Sequence, residues 1–284
     1  MDMRYEKPAS VAQACALLRD TKERAVVLAG GTDLLIKLRS RELSPALVVD
    51  LKGIAELAEL RLGADGELRI GATVTMRKIY EDPRIIEQYP GLAEGALAVG
   101  SLQVRNRATV VGNLCNASPC MDTAPALLLL GARLRVVSHK GEREIPLEQF
   151  FLGVKKTQLA PGEICTAVIV PAAARRIRTA FDKIKRVRGH DLALVNAAAA
   201  YDPDARTLSA AVGSCGITVL STRPIEGVTP GEGAEEIGRQ LAAAALEVVR
   251  PIDDVRASAE YRRDMTALLC RRLTARLLAA SSRR

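Results

Sequence analysis

The stretch Ala25-Val-Val-Leu-Ala-Gly-Gly-Thr-Asp33 joins a short apolar run to two glycines and two small polar residues. An apolar run of this length that meets glycines predicts a buried strand ending in a loop. The backbone of Gly30 and Gly31 can approach a ligand closely, and successive N–H groups in such a turn can cradle an anion. The stretch lacks the glycine spacing of a dinucleotide fingerprint and the lysine of a Walker loop. By itself it fits a tight turn between a strand and a helix equally well.

A second glycine-bearing stretch, Thr109-Val-Val-Gly-Asn113, places a hydroxyl, a bare backbone and a carboxamide close together. A polar run then leads to Asp122, whose carboxylate can accept hydrogen bonds from sugar hydroxyls or cap a helix. For Asn116 and Ser118, stabilisation of the loop is favoured over ligand binding. Together the two stretches predict two loops that close on one phosphate-containing cofactor.

Composition restricts the class of protein. The chain has 284 residues, 48% hydrophobic and 26% charged, which is typical of a globular protein of about two domains. Only 3% of the residues are aromatic and tryptophan is absent, so a nucleic-acid reader built on base stacking is disfavoured. The net charge is +8, and the arginines are scattered apart from one concentration near the C-terminus; because no recognised motif accompanies the charge, we expect no nucleic-acid partner.

Cysteines and hydropathy argue for a reduced, cytoplasmic protein. None of the six cysteines forms a Cys-x-x-Cys pair, and the chain has only two histidines. We therefore expect free thiols and no metal site. The apolar run over 124–134 is interrupted by Pro125, Gly131 and Arg133, so no transmembrane segment is predicted.

The pattern of apolar residues predicts an α+β fold in three parts. Residues 1–55 are predicted to form a parallel β–α–β unit, with a helix capped by Ser10 and strands over 25–29 and 47–51. The next part, to residue 171, reads as antiparallel strands with helices. Its predicted strands cover 68–72, 132–137 and 165–170, and its helices cover 76–80, 90–99 and 122–130, the last capped by Asp122. Strands over 179–187, 192–201 and 208–214 and helices over 233–250 and 255–280 follow.

No hydrolytic motif accompanies these elements. His190, in Arg188-Gly-His-Asp191, is the one candidate for a general acid or base, although a lone loop histidine is more often structural. If the chain performs chemistry, a cofactor supplies it.

An ordered series of motifs identifies a family. The series comprises Tyr5-Glu-Lys-Pro8, Leu28-Ala-Gly-Gly-Thr-Asp-Leu34, Leu47-Val-Val-Asp-Leu51, Ile70-Gly-Ala-Thr73, Gly100-Ser-Leu-Gln-Val-Arg-Asn-Arg107, residues 109–126, Pro161-Gly-Glu-Ile-Cys165 and Phe181-Asp-Lys183. Over its whole length the chain resembles the FAD-binding medium subunit of the molybdenum hydroxylases, the group of xanthine dehydrogenase and aerobic carbon monoxide dehydrogenase.

The resemblance implies a fold and a site. A split FAD-binding domain covers 1–171, with a parallel piece over 1–55 and an antiparallel piece over 56–171, and a smaller α+β domain covers 172–284. The implied FAD-binding residues are Leu28, Ala29, Gly30, Gly31, Thr32, Asp33, Leu34, Val99, Gly100, Thr109, Val110, Val111, Gly112, Asn113, Asp122, Ile164, Cys165 and Lys183. Of these, Val99, Gly100, Ile164 and Cys165 match positions that flank the flavin ring. Lys183 matches a lysine near the ring, where a cation stabilises the charge of reduced flavin; the alternative is an exposed strand lysine.

The resemblance also implies a role in electron transfer. Substrate is oxidised in a molybdopterin-binding large subunit, and electrons pass through a small subunit with two 2Fe-2S clusters. FAD in this chain accepts them and delivers them to an external acceptor, within an expected dimer of heterotrimers. A free-standing flavin oxidoreductase that uses His190, and an assembly subunit with vestigial FAD loops, remain alternatives.

Three positions depart from the family pattern. Val111 stands where relatives have the first of two glycines, and it would be strained if that position required a positive φ. Cys120-Met121 replaces small residues, and Leu192 lies where some relatives carry an aromatic residue that stacks on the flavin.

Overall fold

The structure is a computed structural model that describes residues 3–21, 24–231 and 233–279. Its N-terminal piece is a parallel sheet with the strand order β1-β3-β2. The elements are β1 (Arg4–Glu6), α1 (Val11–Thr21), β2 (Ala25–Leu28), α2 (Leu34–Arg39) and β3 (Leu47–Asp50). Because β2 and β3 run parallel, their carboxyl ends meet at one edge of the sheet, where the first glycine loop begins.

The second piece is a five-stranded antiparallel sheet covered by helices, with the order β4-β5-β10-β6-β7. The sheet consists of β4 (Leu60–Leu62), β5 (Leu68–Gly71), β6 (Arg133–Ser138), β7 (Gly141–Pro146) and β10 (Ile164–Val170), and the piece also contains a separate two-stranded hairpin of β8 (Phe151–Gly153) and β9 (Lys156–Thr157). Its helices are α3 (Met76–Glu81), α4 (Pro83–Gln88), α5 (Pro90–Ala98), α6 (Leu102–Arg105), α7 (Val110–Cys115), α8 (Ala124–Leu129) and α9 (Leu147–Phe150). All seven residues of β10 are buried, as expected for the central strand.

The third piece is an antiparallel sheet with the order β11-β12-β13-β14, backed by two helices. Its elements are β11 (Arg178–Ile184), β12 (Val195–Asp202), β13 (Thr207–Gly213), β14 (Leu220–Ser221), α10 (Ala234–Val248) and α11 (Ala259–Ala279). Alternate residues of β12 belong to different cores: Ala198 joins the core of the second piece, whereas Ala197 and Ala199 pack with α10 and α11. The alanines of β12 therefore let helices approach the sheet from both faces.

The predicted α+β fold is confirmed, with local corrections. The second glycine-bearing stretch is not a loop but the start of α7. The helix predicted to be capped by Asp122 begins at Ala124, with Thr123 at its N-cap position and no side-chain cap. The last helix begins at Ala259 rather than Val255, because Asp254 accepts the backbone N–H groups of Arg256 and Ala257 in a turn.

The final helix packs on its own domain. Leu269, Leu273 and Leu277 lie in the core that α11 shares with β12 and α10. Among the residues that the structure describes, no helix is both long and apolar enough to cross a membrane.

Candidate functional site

The three pieces meet around a cavity of about 1000 Å³. It is lined by the loop after β2, the start of α7, the first residues of β10 and residues of the third piece around Lys183 and Ser214. Its volume lies at the upper end of the range for small-molecule sites, so it is large enough for a large cofactor.

The two glycines of the first loop are required for different structural reasons. Gly31 has a φ of +79°, a left-handed conformation that glycine adopts without strain. A Cβ on Gly30 would overlap the carbonyl oxygen of Arg107, just before the second stretch. Gly30 therefore permits the two predicted cofactor segments to pack against each other.

A side-chain hydrogen bond also joins these two segments. The Asn116 amide Nδ2 donates to Asp33 Oδ1 at 2.9 Å. This contact matches the prediction that Asn116 stabilises a loop. It occupies one oxygen of Asp33, which the resemblance assigns to FAD.

The second segment forms the start of α7, with Thr109 at the N-cap and Val111 in the first turn. The Thr109 hydroxyl accepts from the backbone N–H of Gly112 at 3.0 Å, an N-cap interaction. Val111 lies within α7, is not among the residues with positive φ, and is 3% exposed in the core. The valine is accordingly unstrained, and its departure from the family pattern does not disturb the segment.

Behind the first loop, a buried carboxylate forms what we call the Asp50 latch, made of Tyr5, Asp50 and Lys52. Lys52 Nζ lies 2.7 Å from Asp50 Oδ1 and donates to the carbonyl of Ala29 at 3.2 Å. The Tyr5 hydroxyl donates to the other oxygen of Asp50. Burial acts to raise the pKa of Asp50, but hydrogen bonds from Lys52 and Tyr5 outweigh it and lower the pKa. Sequence analysis quoted Tyr5 and Asp50 within family motifs but did not predict that they contact each other or Lys52.

On the opposite side, Asp122 holds a buried polar cluster. Lys183 Nζ lies 2.7 Å from Asp122 Oδ2 and donates to the Ala98 carbonyl at 3.1 Å, and Asn196 Nδ2 donates to Asp122 Oδ1 at 2.7 Å. Burial raises the pKa of Asp122, against the opposing effects of Lys183 and Asn196. The Lys183 side chain is only 6% exposed, so the alternative of an exposed strand lysine is wrong.

The apolar wall of the cavity contains the predicted flavin-flanking residues. Arg105 Nη1 donates to the carbonyls of Val99 and Gly100 at 3.1 and 3.2 Å, which holds the turn after α5. Cys165 is 5% exposed, and burial together with a hydrogen bond to Cys115 raises the pKa of its thiol. All six cysteines are free, as predicted.

The cavity gathers the predicted site residues with two exceptions. Leu28 and Val110 do not line it; both are buried, and Val110 belongs to the core of the second piece. His190 and Leu192 line the rim and are exposed.

Sequence analysis missed several lining residues of the third piece and of the hairpin of β8 and β9. Ser214 lies after β13 with a φ of +65°, and its buried hydroxyl has no hydrogen-bond partner among the residues that the structure describes. Arg256 and Arg262 both bind Asp254, at 2.6 and 2.9 Å, and Lys155 reaches the cavity from the hairpin turn. They lie far apart in sequence, so no local motif marks them.

Comparison with known proteins identifies the family. Residues 1–173 match the family described as the FAD binding domain in molybdopterin dehydrogenase, and residues 179–277 match the CO dehydrogenase flavoprotein C-terminal domain. The chain belongs to the FAD-binding subunits of the molybdenum hydroxylases. It is 30% identical to the carbon monoxide dehydrogenase medium chain of Afipia carboxidovorans, over 96% of this chain and 95% of that protein. It is also 30% identical to the xanthine dehydrogenase FAD-binding subunit of Escherichia coli O157:H7, over 98% and 96%.

Solved structures of this oxidoreductase family share the architecture. A chain of quinoline 2-oxidoreductase from Pseudomonas putida 86 superposes with a TM-score of 0.88 at 28% identity, covering 99% of this chain and 98% of the other. A chain of carbon monoxide dehydrogenase from Hydrogenophaga pseudoflava gives a TM-score of 0.87 at 28% identity, covering 96% of both chains.

The residues of the cavity fit the cofactor of this family. The glycine loop, which contacts the segment before α7, presents backbone to one end of the cavity, as a pyrophosphate requires. The apolar side chains of Val99 and Ile164 line another part, which suits a flat ring system. The unpartnered Ser214 hydroxyl offers a hydrogen bond to a polar ligand group.

Proposed function

We propose that this chain is the electron-transfer subunit of a heteromeric molybdenum-dependent hydroxylase or dehydrogenase. It would take electrons from the 2Fe-2S clusters of a small partner subunit and pass them to an external acceptor. The observation that carries the proposal is the shared cavity, into which the first glycine loop, the start of α7 and the Asp122–Lys183 pair all project.

We further propose the arrangement of the cofactor site. The pyrophosphate lies beside the first loop and the start of α7, and the ring system lies against Val99, Ile164 and Cys165. Sixteen of the eighteen residues that the family resemblance indicates, all except Leu28 and Val110, line the cavity and form the proposed FAD site. When bound, FAD supplies the exchange of electrons with one-electron and two-electron partners.

The residues of the chain would hold the cofactor and set its surroundings. Lys183 brings a positive charge to the cavity, but its ion pair with Asp122 offsets that charge. Asn196 orients Asp122 through one carboxylate oxygen and leaves the other to Lys183. The pair therefore supplies an oriented dipole more than a free cation.

Domain organisation and partners belong to the same proposal. The FAD-binding domain covers 1–171 and the C-terminal domain 172–284. The partners are a molybdopterin-binding large subunit and a small iron–sulfur subunit, in a dimer of heterotrimers in the cytoplasm. The organic substrate would bind to the large subunit and not to this chain.

Purification of the tagged chain from its natural host tests the proposal. We expect an absorption spectrum with flavin bands, FAD on extraction, and co-purification of a molybdenum protein and an iron–sulfur protein. Bound flavin should be reduced when the substrate of the large subunit is added. A complex without extractable FAD would instead support a non-enzymatic assembly subunit.

The isolated chain provides the second arm of this test. We expect no turnover of organic substrates by the chain alone, because the proposed catalytic metal site lies in another subunit. Turnover that is lost in His190→Gln would contradict the proposal and favour a free-standing flavin oxidoreductase.

A further inference from the structure

A short hairpin reaches the cavity from the second piece. Strands β8 and β9 pair antiparallel, and Val154 and Lys155 form the turn between them. The backbone N–H of Lys155 donates to the Ala117 carbonyl at 2.9 Å, in the segment that follows α7. This bond docks the turn onto the second cofactor segment, and both turn residues line the cavity.

Lys155 lines the cavity from the turn of this hairpin. Lys155 has a φ of +58°, which is uncommon for a residue with a side chain. Although Lys155 is exposed, partial desolvation lowers the pKa of its ammonium, and the carboxylate of Asp33 in the first loop opposes this effect. Among the neighbouring groups, Asp33, Cys120 and Glu42 act to raise this pKa, and the ammonium of Lys37 acts to lower it.

Most other cations that line the cavity are already paired. Lys37 binds Glu42 at 3.3 Å, Lys183 binds Asp122, and Arg256 and Arg262 bind Asp254. Arg250 donates to the carbonyls of Glu247 and Val249 at the end of α10. Within residues 3–21, 24–231 and 233–279, no carboxylate lies within ion-pair distance of the Lys155 ammonium. A cation is thus free beside the two segments that hold the proposed cofactor.

We propose that Lys155 is the cofactor-binding cation that contacts the pyrophosphate of FAD. This inference rests on the proposed function, because it requires FAD in this cavity. Lys155 is exposed where it lines the cavity, so water weakens the attraction between its ammonium and a pyrophosphate, but a charge-assisted hydrogen bond between the two remains favourable. The glycine loop supplies backbone N–H groups and Lys155 supplies the charge.

The same hairpin provides a matched control. Lys156 is the next residue and is exposed like Lys155, but it is not among the residues that line the cavity. Lys155→Gln keeps the backbone N–H that binds Ala117 and removes only the charge. Lys156→Gln makes the same change to net charge outside the cavity.

Flavin titrations of the full chain, stripped of its bound flavin, test the role. The Kd for FAD and for riboflavin, which lacks phosphate, is measured for wild type, Lys155→Gln, Lys155→Arg and Lys156→Gln. We expect Lys155→Gln to weaken FAD binding about tenfold, the effect of losing one charge-assisted hydrogen bond. Riboflavin affinity should not change, Lys155→Arg should restore most of the FAD affinity, and Lys156→Gln should resemble wild type.

Salt dependence gives an independent readout. FAD affinity of wild type should fall with ionic strength more steeply than that of Lys155→Gln, because the substitution removes a charge–charge contact. Equal weakening of FAD and riboflavin in Lys155→Gln would overturn the proposal in favour of a structural role, and unchanged FAD affinity would overturn it outright. A wild-type chain that binds neither flavin would contradict the proposed function itself.

Discussion

At the scale of single residues, the glycines of the first loop show how one residue type meets different demands. Gly31 is needed for its positive φ, and Gly30 is needed because backbone of the second segment occupies the space of a side chain. A glycine pair in sequence suggests a ligand site, but it does not reveal that one glycine faces protein. The close approach at Gly30 therefore depends on the absence of a side chain there.

We expect Gly30→Ala to separate the two cofactor segments. The new methyl group meets a backbone carbonyl, which cannot rotate away, so overpacking should cost about 1–3 kcal/mol of stability. FAD occupancy after purification should fall together with the unfolding temperature. Gly189→Ala is the matched control, since no atom lies within 4 Å of a Cβ there and its backbone is not left-handed. Equal effects of both substitutions would contradict this account.

The buried ion pair of Asp122 and Lys183 is a second feature at the scale of residues. Each partner is buried, so removing one leaves an uncompensated charge in a low-dielectric site. Asp122→Asn and Lys183→Met should each destabilise the chain, by about 3 kcal/mol in denaturant unfolding. The double variant should lose less than the sum of the two, and additive losses would show that the two groups are not coupled.

At the scale of elements, the Asp50 latch connects the end of β3 to the loop that follows β2. Parallel pairing brings these two strand ends together, and Lys52 spans them by binding both Asp50 and the Ala29 carbonyl. The loop position thus depends on a neighbouring strand that lies later in the chain. Tyr5 connects β1, the third strand of the sheet, to the latch, because its hydroxyl donates a hydrogen bond to Asp50.

The latch should make loop stability depend on pH in the acid range. The pKa of Asp50 is lowered from 3.8, so its contribution is fully present above 3.8 and is lost as the pH falls through the folded pKa. The difference in unfolding temperature between wild type and Asp50→Asn should be largest near neutral pH and should shrink below about pH 4. A difference that is independent of pH would show that the carboxylate charge is unimportant there.

At the scale of the whole molecule, the cavity is assembled by packing among all three pieces. Asn196 on β12 donates to the Met121 carbonyl and to Asp122, and Arg276 on α11 binds Glu94 on α5. Residues of the last third of the chain therefore complete a site whose glycine segments lie in the first half.

Arg262 is the buried residue that holds the third piece in shape beside the cavity. It is 1% exposed, donates to the carbonyls of Leu194 and Ser214 at 2.6 and 3.2 Å, and binds Asp254. Arg262→Met should lower the free energy of unfolding by about 3–5 kcal/mol, because it leaves Asp254 and two carbonyls with fewer partners. It should also reduce FAD occupancy, since Ser214 and Asp254 line the cavity.

Arg263→Met is the control for that prediction. Arg263 is the next residue of α11 and is exposed, so its loss should change stability by less than about 0.5 kcal/mol. Chemical unfolding measures the stability of both variants, and flavin extraction measures their FAD occupancy. Equal stability of the two variants would contradict the assigned role of Arg262.

The sequence by itself determined the family, the α+β fold and most elements of the core. Continuous apolar runs located β2, β3 and β10, although only Leu28 of β2 is buried, and the ordered motifs indicated the two segments that we propose to bind the cofactor. Val111 could not be judged from sequence, because strain depends on a backbone angle that only the fold supplies. The residues that complete the site, Lys155, Ser214 and Arg262, were not predicted, since each is brought to the cavity by packing between distant parts of the chain. Tertiary structure also decided that Gly30 faces the backbone of Arg107, because a contact between two loops depends on how the sheets carrying them pack.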